Sequence, residues 1–158
     1  MKRLITILLL FLMTASACKL QNYRVGRDIP KDAILSFEWT DKSDSYPPYY
    51  THYEYRAENG TYTYTWHLRK GRQVPLTEED VISAGTRTLT QEEWDLFYSR
   101  IVTGTVHMNR EIDPKDPGPW AFLYWKNAKD NFQTYHFPSP EQRLQFIEYC
   151  EKLVNLPA

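Results

Sequence analysis

Residues 49–70 read YYTHYEYRAENGTYTYTWHLRK, two runs rich in Tyr, Thr and Trp with Asn59-Gly60 between them. Asn-Gly readily supplies the two positive φ angles of a type I′ turn, so the stretch predicts a hairpin of Tyr49–Glu58 and Thr61–Lys70. A two-residue turn also sets the register. Ala57 then faces Tyr62, Tyr55 faces Tyr64 and Tyr53 faces Trp66, all on one face. The other face carries His52 with His67, Glu54 with Thr65 and Arg56 with Thr63. One face is aromatic and the other polar, the pattern of a half-buried antiparallel sheet.

Working outward, AILSFEWT at 33–40 has strand composition and is broken by DKSDSYPP, whose paired prolines favour a loop. Residues 71–83 are polar and read as loop, with a short strand over 84–89. Thr90 and Glu93 form a capping box ahead of Trp94, Phe97, Tyr98 and Ile101 at helical spacing, with Gly104 closing the helix. The stretch GTVHMNREIDPKDPGP is loop-rich. WAFLYWK at 120–126 reads as a strand apolar on both faces, returning through a turn into residues 131–137. Ser139, Pro140 and Gln142 open a last helix whose stripe is Phe146, Ile147, Cys150, Leu153 and Val154. The expected fold is α+β: a mainly antiparallel sheet of about five to six strands, with two helices packed on one face.

Composition narrows the function. The chain has 158 residues, which suits one domain, and 19 Lys and Arg against 20 Asp and Glu. That balance argues against nucleic-acid binding, which needs a basic surface. With 42% apolar and 15% aromatic residues the chain can bury a core, so wholesale disorder is excluded. Two cysteines make neither a disulfide scaffold nor a four-cysteine zinc site.

The N-terminus runs from Lys2-Arg3 through an uncharged stretch, Leu4 to Ala17, to Cys18. That order of charge, apolar run and small residues is a secretory signal peptide over residues 1–17, and the run is short for a membrane span. Ala15-Ser16-Ala17-Cys18 resembles the lipobox of bacterial lipoproteins, with Ala15 where that family usually has Leu. The resemblance covers the leader alone. It implies cleavage before Cys18 and acylation of that residue with palmitate-type chains. Several chains together give stable membrane attachment. Lys19 after the cysteine implies outer-membrane sorting in a Gram-negative cell, with the domain facing the periplasm or the surface. Ala15-Ser16-Ala17 also suits ordinary signal-peptide cleavage, which would leave a soluble secreted protein. Residues 18–32, the cysteine and a polar stretch, are expected to act as a tether, and residues 33–158 as a single globular domain.

Candidate chemistry is sparse. No G-x-S-x-G surrounds a serine, and Cys150 sits mid-stripe on a helix, where a buried structural thiol is expected rather than a nucleophile. His52 and His67, with Glu54 near, could hold zinc or copper, although no third close ligand follows from the spacing. Asp41 with Asp44, and Asp113 with Asp116, lie in loops and fit no EF-hand pattern. Tyr46, Tyr49 and Tyr50 flank Pro47-Pro48, and Trp120 follows Pro119; such rigid aromatics can anchor a protein interface or stack on sugars. The expectation is a non-enzymatic envelope lipoprotein without a cofactor. It binds a protein partner as an accessory or inhibitor. The alternative is a carbohydrate- or peptidoglycan-binding module using the same aromatics.

Overall fold

A computed structural model describes residues 22–109, 118–126, 128 and 132–155. The expected leader and Cys18 lie outside these residues. Eight strands and two helices follow one another: β1 (Asn22–Arg24), β2 (Ile34–Ser43), β3 (Tyr49–Glu58), β4 (Thr61–Lys70), β5 (Val81–Leu89), α1 (Gln91–Ile101), β6 (Thr105–Asn109), β7 (Trp120–Trp125), β8 (Phe132–His136) and α2 (Pro140–Val154). Short 3-10 turns at Lys31–Ala33 and Glu78–Asp80 lead into β2 and β5. The strands form one sheet in the order β1-β6-β8-β7-β2-β3-β4-β5, antiparallel at every pairing.

The hairpin of β3 and β4 forms as its sequence dictates. Asn59 and Gly60 both have positive φ, 51° and 79°, and Glu58 lies opposite Thr61. Alternation then divides the sheet. Phe37, Trp39, Tyr53, Tyr55, Tyr64, Ala121, Leu123 and Tyr135 are buried beneath the helices, with Trp94, Phe97 and Ile101 of α1 and Phe146, Tyr149, Cys150 and Leu153 of α2. Phe37 lies at the centre, its ring 5.8 Å from Phe97, 5.1 Å from Tyr135 and 5.2 Å from Phe146 between centroids. Three of the buried phenols donate to backbone carbonyls, as buried polar groups usually do. Tyr64 donates to the Cys150 carbonyl at 3.1 Å, Tyr135 to Ile101 at 2.9 Å and Tyr149 to Glu93 at 3.1 Å.

Both helix starts follow the sequence. The Thr90 hydroxyl accepts from the Glu93 N–H, and the Glu93 carboxylate accepts from the Thr90 N–H; Ser139 caps α2 through the Gln142 N–H. Gly104 is needed because a Cβ there would lie 2.1 Å from the Tyr135 hydroxyl.

Among the described residues the sheet has eight strands where five to six are expected. One additional strand is β6, inside the stretch read as loop. The other is β1, inside the stretch read as tether. Val25 and Ile29 explain the latter: both are buried, and the turn between them closes through Gly26 N–H to Ile29 C=O at 2.9 Å. Tyr23 adds a ring contact with Trp125 at 5.2 Å. Packing of three apolar side chains in a polar stretch thus brings the fold forward from residue 33 to residue 22.

Candidate functional site

The even-numbered residues of β3 point to the face without helices. There Trp120 of β7, Thr40 of β2, His52 of β3 and His67 of β4 form one cross-strand row. Thr40 Oγ1 and His52 Nδ1 are 2.9 Å apart. His67 Nε2 accepts from Arg69 Nε at 3.2 Å, and Arg69 also pairs with Glu78. Tyr50 stacks near-parallel to His52, meets His67 edge-on, and lies beneath the Arg69 guanidinium. Burial holds the His52 imidazole below its ordinary pKa, against the pull of Glu54.

This geometry bears on the metal reading. His52 and His67 do face each other, as the hairpin register requires. One ring nitrogen of each is engaged, His52 by a hydroxyl and His67 by a guanidinium. Among the described residues no group of three or more His, Cys, Asp or Glu side chains converges as a metal site.

The next row holds an unforeseen conflict. Glu38 lies between Phe122 and Glu54, so two carboxylates stand directly opposite each other. Arg56 pairs with Glu54 at 2.6 Å, whereas Glu38 has no ion pair among the described residues. Burial, with Glu54 adding to it, raises the Glu38 pKa. At the far side of the same face His107 and His136 bring their rings to 4.3 Å. Neither pair could be read from the sequence, because both depend on strand order; the β6–β8 pairing in particular involves a strand with no clear pattern of its own.

The loop aromatics separate into two places. Tyr46, Tyr49 and Tyr50 line a single groove of about 400 Å³ with Leu68, Arg69 and Ile82. Tyr46 is 82% exposed and Ile82 63%, which is unusual for side chains of this size. The Tyr49 hydroxyl donates to Asp41 at 3.4 Å, and burial and that carboxylate raise its pKa. Trp120 is not part of the groove. It starts β7 on the helix-free face, with the Lys42 ammonium 5.1 Å from its ring. A larger cavity of about 850 Å³ between α1 and α2 is rimmed by Glu93, Glu148, Glu151, Arg100 and Lys152, a mixture of charges with no common sign.

Cys150 is buried, its sulfur 3.4 Å from the Tyr55 hydroxyl, and burial pushes the thiol pKa well up. A thiol held protonated in a closed core cannot act as a nucleophile. No helix among the described residues is long and apolar enough to cross a membrane. No protein-family model, no curated protein and no solved structure matches this chain.

Proposed function

We propose that this chain is a non-enzymatic, lipid-anchored protein of the cell envelope that captures a protein partner, as an accessory subunit or an inhibitor. One observation carries the binding part. Tyr46, Tyr49 and Tyr50 converge on one groove with exposed Ile82. Exposed apolar side chains of this size, grouped around a concavity and rimmed by Arg69 and Lys70, suit an anchor-and-pocket interface. The leader and Cys18 supply the anchoring part, by their resemblance to bacterial lipoproteins.

The test is crosslinking of the tagged, full-length protein in its native membrane, followed by mass spectrometry. Replacing Tyr46, Tyr49 and Tyr50 by Ala together should lower capture of a stoichiometric protein by about tenfold or more, the cost of losing a hot spot. Undiminished capture by the triple variant would remove the groove from the interface. A second reading, glycan binding, draws on the Tyr49–Asp41 hydrogen bond, since an aromatic plane beside a carboxylate is suited to a sugar. No tryptophan is among the described residues lining the groove, so titration with wall fragments should be followed by tyrosine NMR.

A further inference from the structure

The Asn59–Gly60 turn fixes which backbone groups face outward at the far edge of the sheet. A two-residue turn closes on a hydrogen-bonded pair, here Glu58 with Thr61, and such pairs recur at every second residue. The backbone groups of Thr61, Thr63, Thr65 and His67 therefore turn toward β3. Those of Tyr62, Tyr64, Trp66 and Leu68 turn toward β5, where they meet Leu89, Arg87, Gly85 and Ser83. The N–H and C=O groups of Ala84, Thr86 and Thr88 must then point away from the sheet. Among the described residues β5 is its last strand. Among the described residues no turn or loop backbone bonds to these three.

Natural edges are usually blunted by Pro, Lys, brevity or a bulge. From Ser83 to Leu89 the strand contains neither Pro nor Lys. Its irregularity, opposite Leu68 and Arg69, falls before Ser83. Its one charge, Arg87, is held by Glu93 of α1. The opposite edge, β1, is only three residues long.

We infer that β5 receives an extended segment of the protein partner as a ninth strand; this rests on the reading that a protein partner is bound. Open N–H and C=O groups at alternate positions select extended backbone over any other ligand. A second copy fits less well. Antiparallel pairing centred on Gly85 would set the acidic turn Glu78–Asp80 of each copy toward the Glu92–Glu93 end of the other. A foreign strand can instead carry a basic residue beside that turn, where Glu79 makes no ion pair among the described residues. Its end also reaches the tyrosine groove, because Ile82 belongs to β5 and lines that groove. The segment this edge takes has β-branched residues at alternate positions and a Lys or Arg at the Glu78–Asp80 end.

The probe is a peptide of about nine residues, alternating Val and Thr with two terminal lysines, added to the full-length protein and followed by amide hydrogen exchange. Exchange at Ala84, Thr86 and Thr88 should slow by about tenfold, while Ser83, Gly85 and Arg87, already bonded to β4, should not change. Thr86→Pro removes one outward N–H without touching the β4 ladder, and should abolish the slowing at Ala84 and Thr88; Thr86→Val should keep it. The triple tyrosine variant should also keep it, so failure of the groove and failure of the edge are read separately. No slowing at millimolar peptide overturns the inference, as does slowing that persists in Thr86→Pro or disappears in the tyrosine variant. Slowing in the protein alone that grows with its concentration overturns the choice of partner and assigns the edge to a second copy. Should Thr86→Pro fail to fold, a peptide N-methylated at alternate residues replaces it, and unchanged binding of that peptide overturns the inference.

Discussion

The two faces of the sheet are built from the same strands, yet they solve opposite problems. Along β3, Tyr53 and Tyr55 point into the helix layer and are buried, while His52, Glu54 and Arg56 point out. The covered face is an aromatic mosaic in which Tyr64, Tyr135 and Tyr149 donate to backbone carbonyls and Tyr55 meets the Cys150 sulfur. On the open face Glu38 faces Glu54, His52 faces His67, and His107 packs on His136. The covered face is locally consistent and so specifies the fold. The open face sets the Glu38 and Glu54 carboxylates directly opposite each other, an arrangement that is destabilising when both are charged.

Breaking the covered face should have the largest effect. Phe37 is fully buried and ringed by Phe97 and Phe146 from the two helices and by Tyr135 of β8 and Phe137 just beyond it. Phe37→Ala should cost about 3–5 kcal/mol, the transfer term plus an unfilled cavity. Denaturant unfolding of the protein measures it. A loss under about 1 kcal/mol would mean that the helices do not depend on this ring to dock, and the contrast between the faces would fail.

The open face should respond to pH instead. Burial depresses the pKa of His52 and of His136, and His107 adds to the effect at His136. A depressed folded value means that the unfolded chain binds the proton more readily. The stability these groups contribute is therefore present above the unfolded value, about 6.5, and is lost as pH falls through and below it. The slope is bounded by about 1.4 kcal/mol per pH unit for each proton. Melting temperature should fall between pH 7 and pH 5, and His136→Gln should flatten that fall. An unchanged slope in the variant would show that the pair is solvated and carries no conflict.

Legibility in the sequence follows the same division. Register and facing within β3–β4 were readable because Asn59-Gly60 fixes both locally. The caps at Thr90 and Ser139 were readable because four consecutive residues determine each. β1 was hidden because it pairs with a strand more than eighty residues away and its neighbours Val25 and Ile29 are buried, Val25 N–H bonding to the Gly104 carbonyl, with no periodicity to announce them. β6 was hidden by its neighbouring prolines and its short length. The tyrosine cluster was visible as a group, since the three lie within five residues. The groove was not, because Leu68 and Ile82 join it only through the β4–β5 pairing. The proline flanking Trp120 suggests kinship with those tyrosines, but it is a local feature that says nothing about which side of a sheet a residue occupies.

The smallest effect is also the sharpest test of the comparison. Glu38 is half-buried between Phe122 and Glu54, and its raised pKa comes first from burial and then from Glu54, with Arg56 opposing. A carboxyl whose folded value lies above the unfolded one, about 4.3, contributes stability that is complete below that unfolded value. The contribution is lost as pH rises through the folded value. Glu38→Gln keeps the shape and removes the charge. It should stabilise the domain at pH 7 by about 0.2–1 kcal/mol, the range for like charges opposed across a strand pair, and do nothing at pH 4. Thermal unfolding at the two pH values gives the difference directly. Destabilisation at pH 7 would mean that the Glu38 carboxylate has a favourable partner in solution, and the open face would then be as well matched as the covered one.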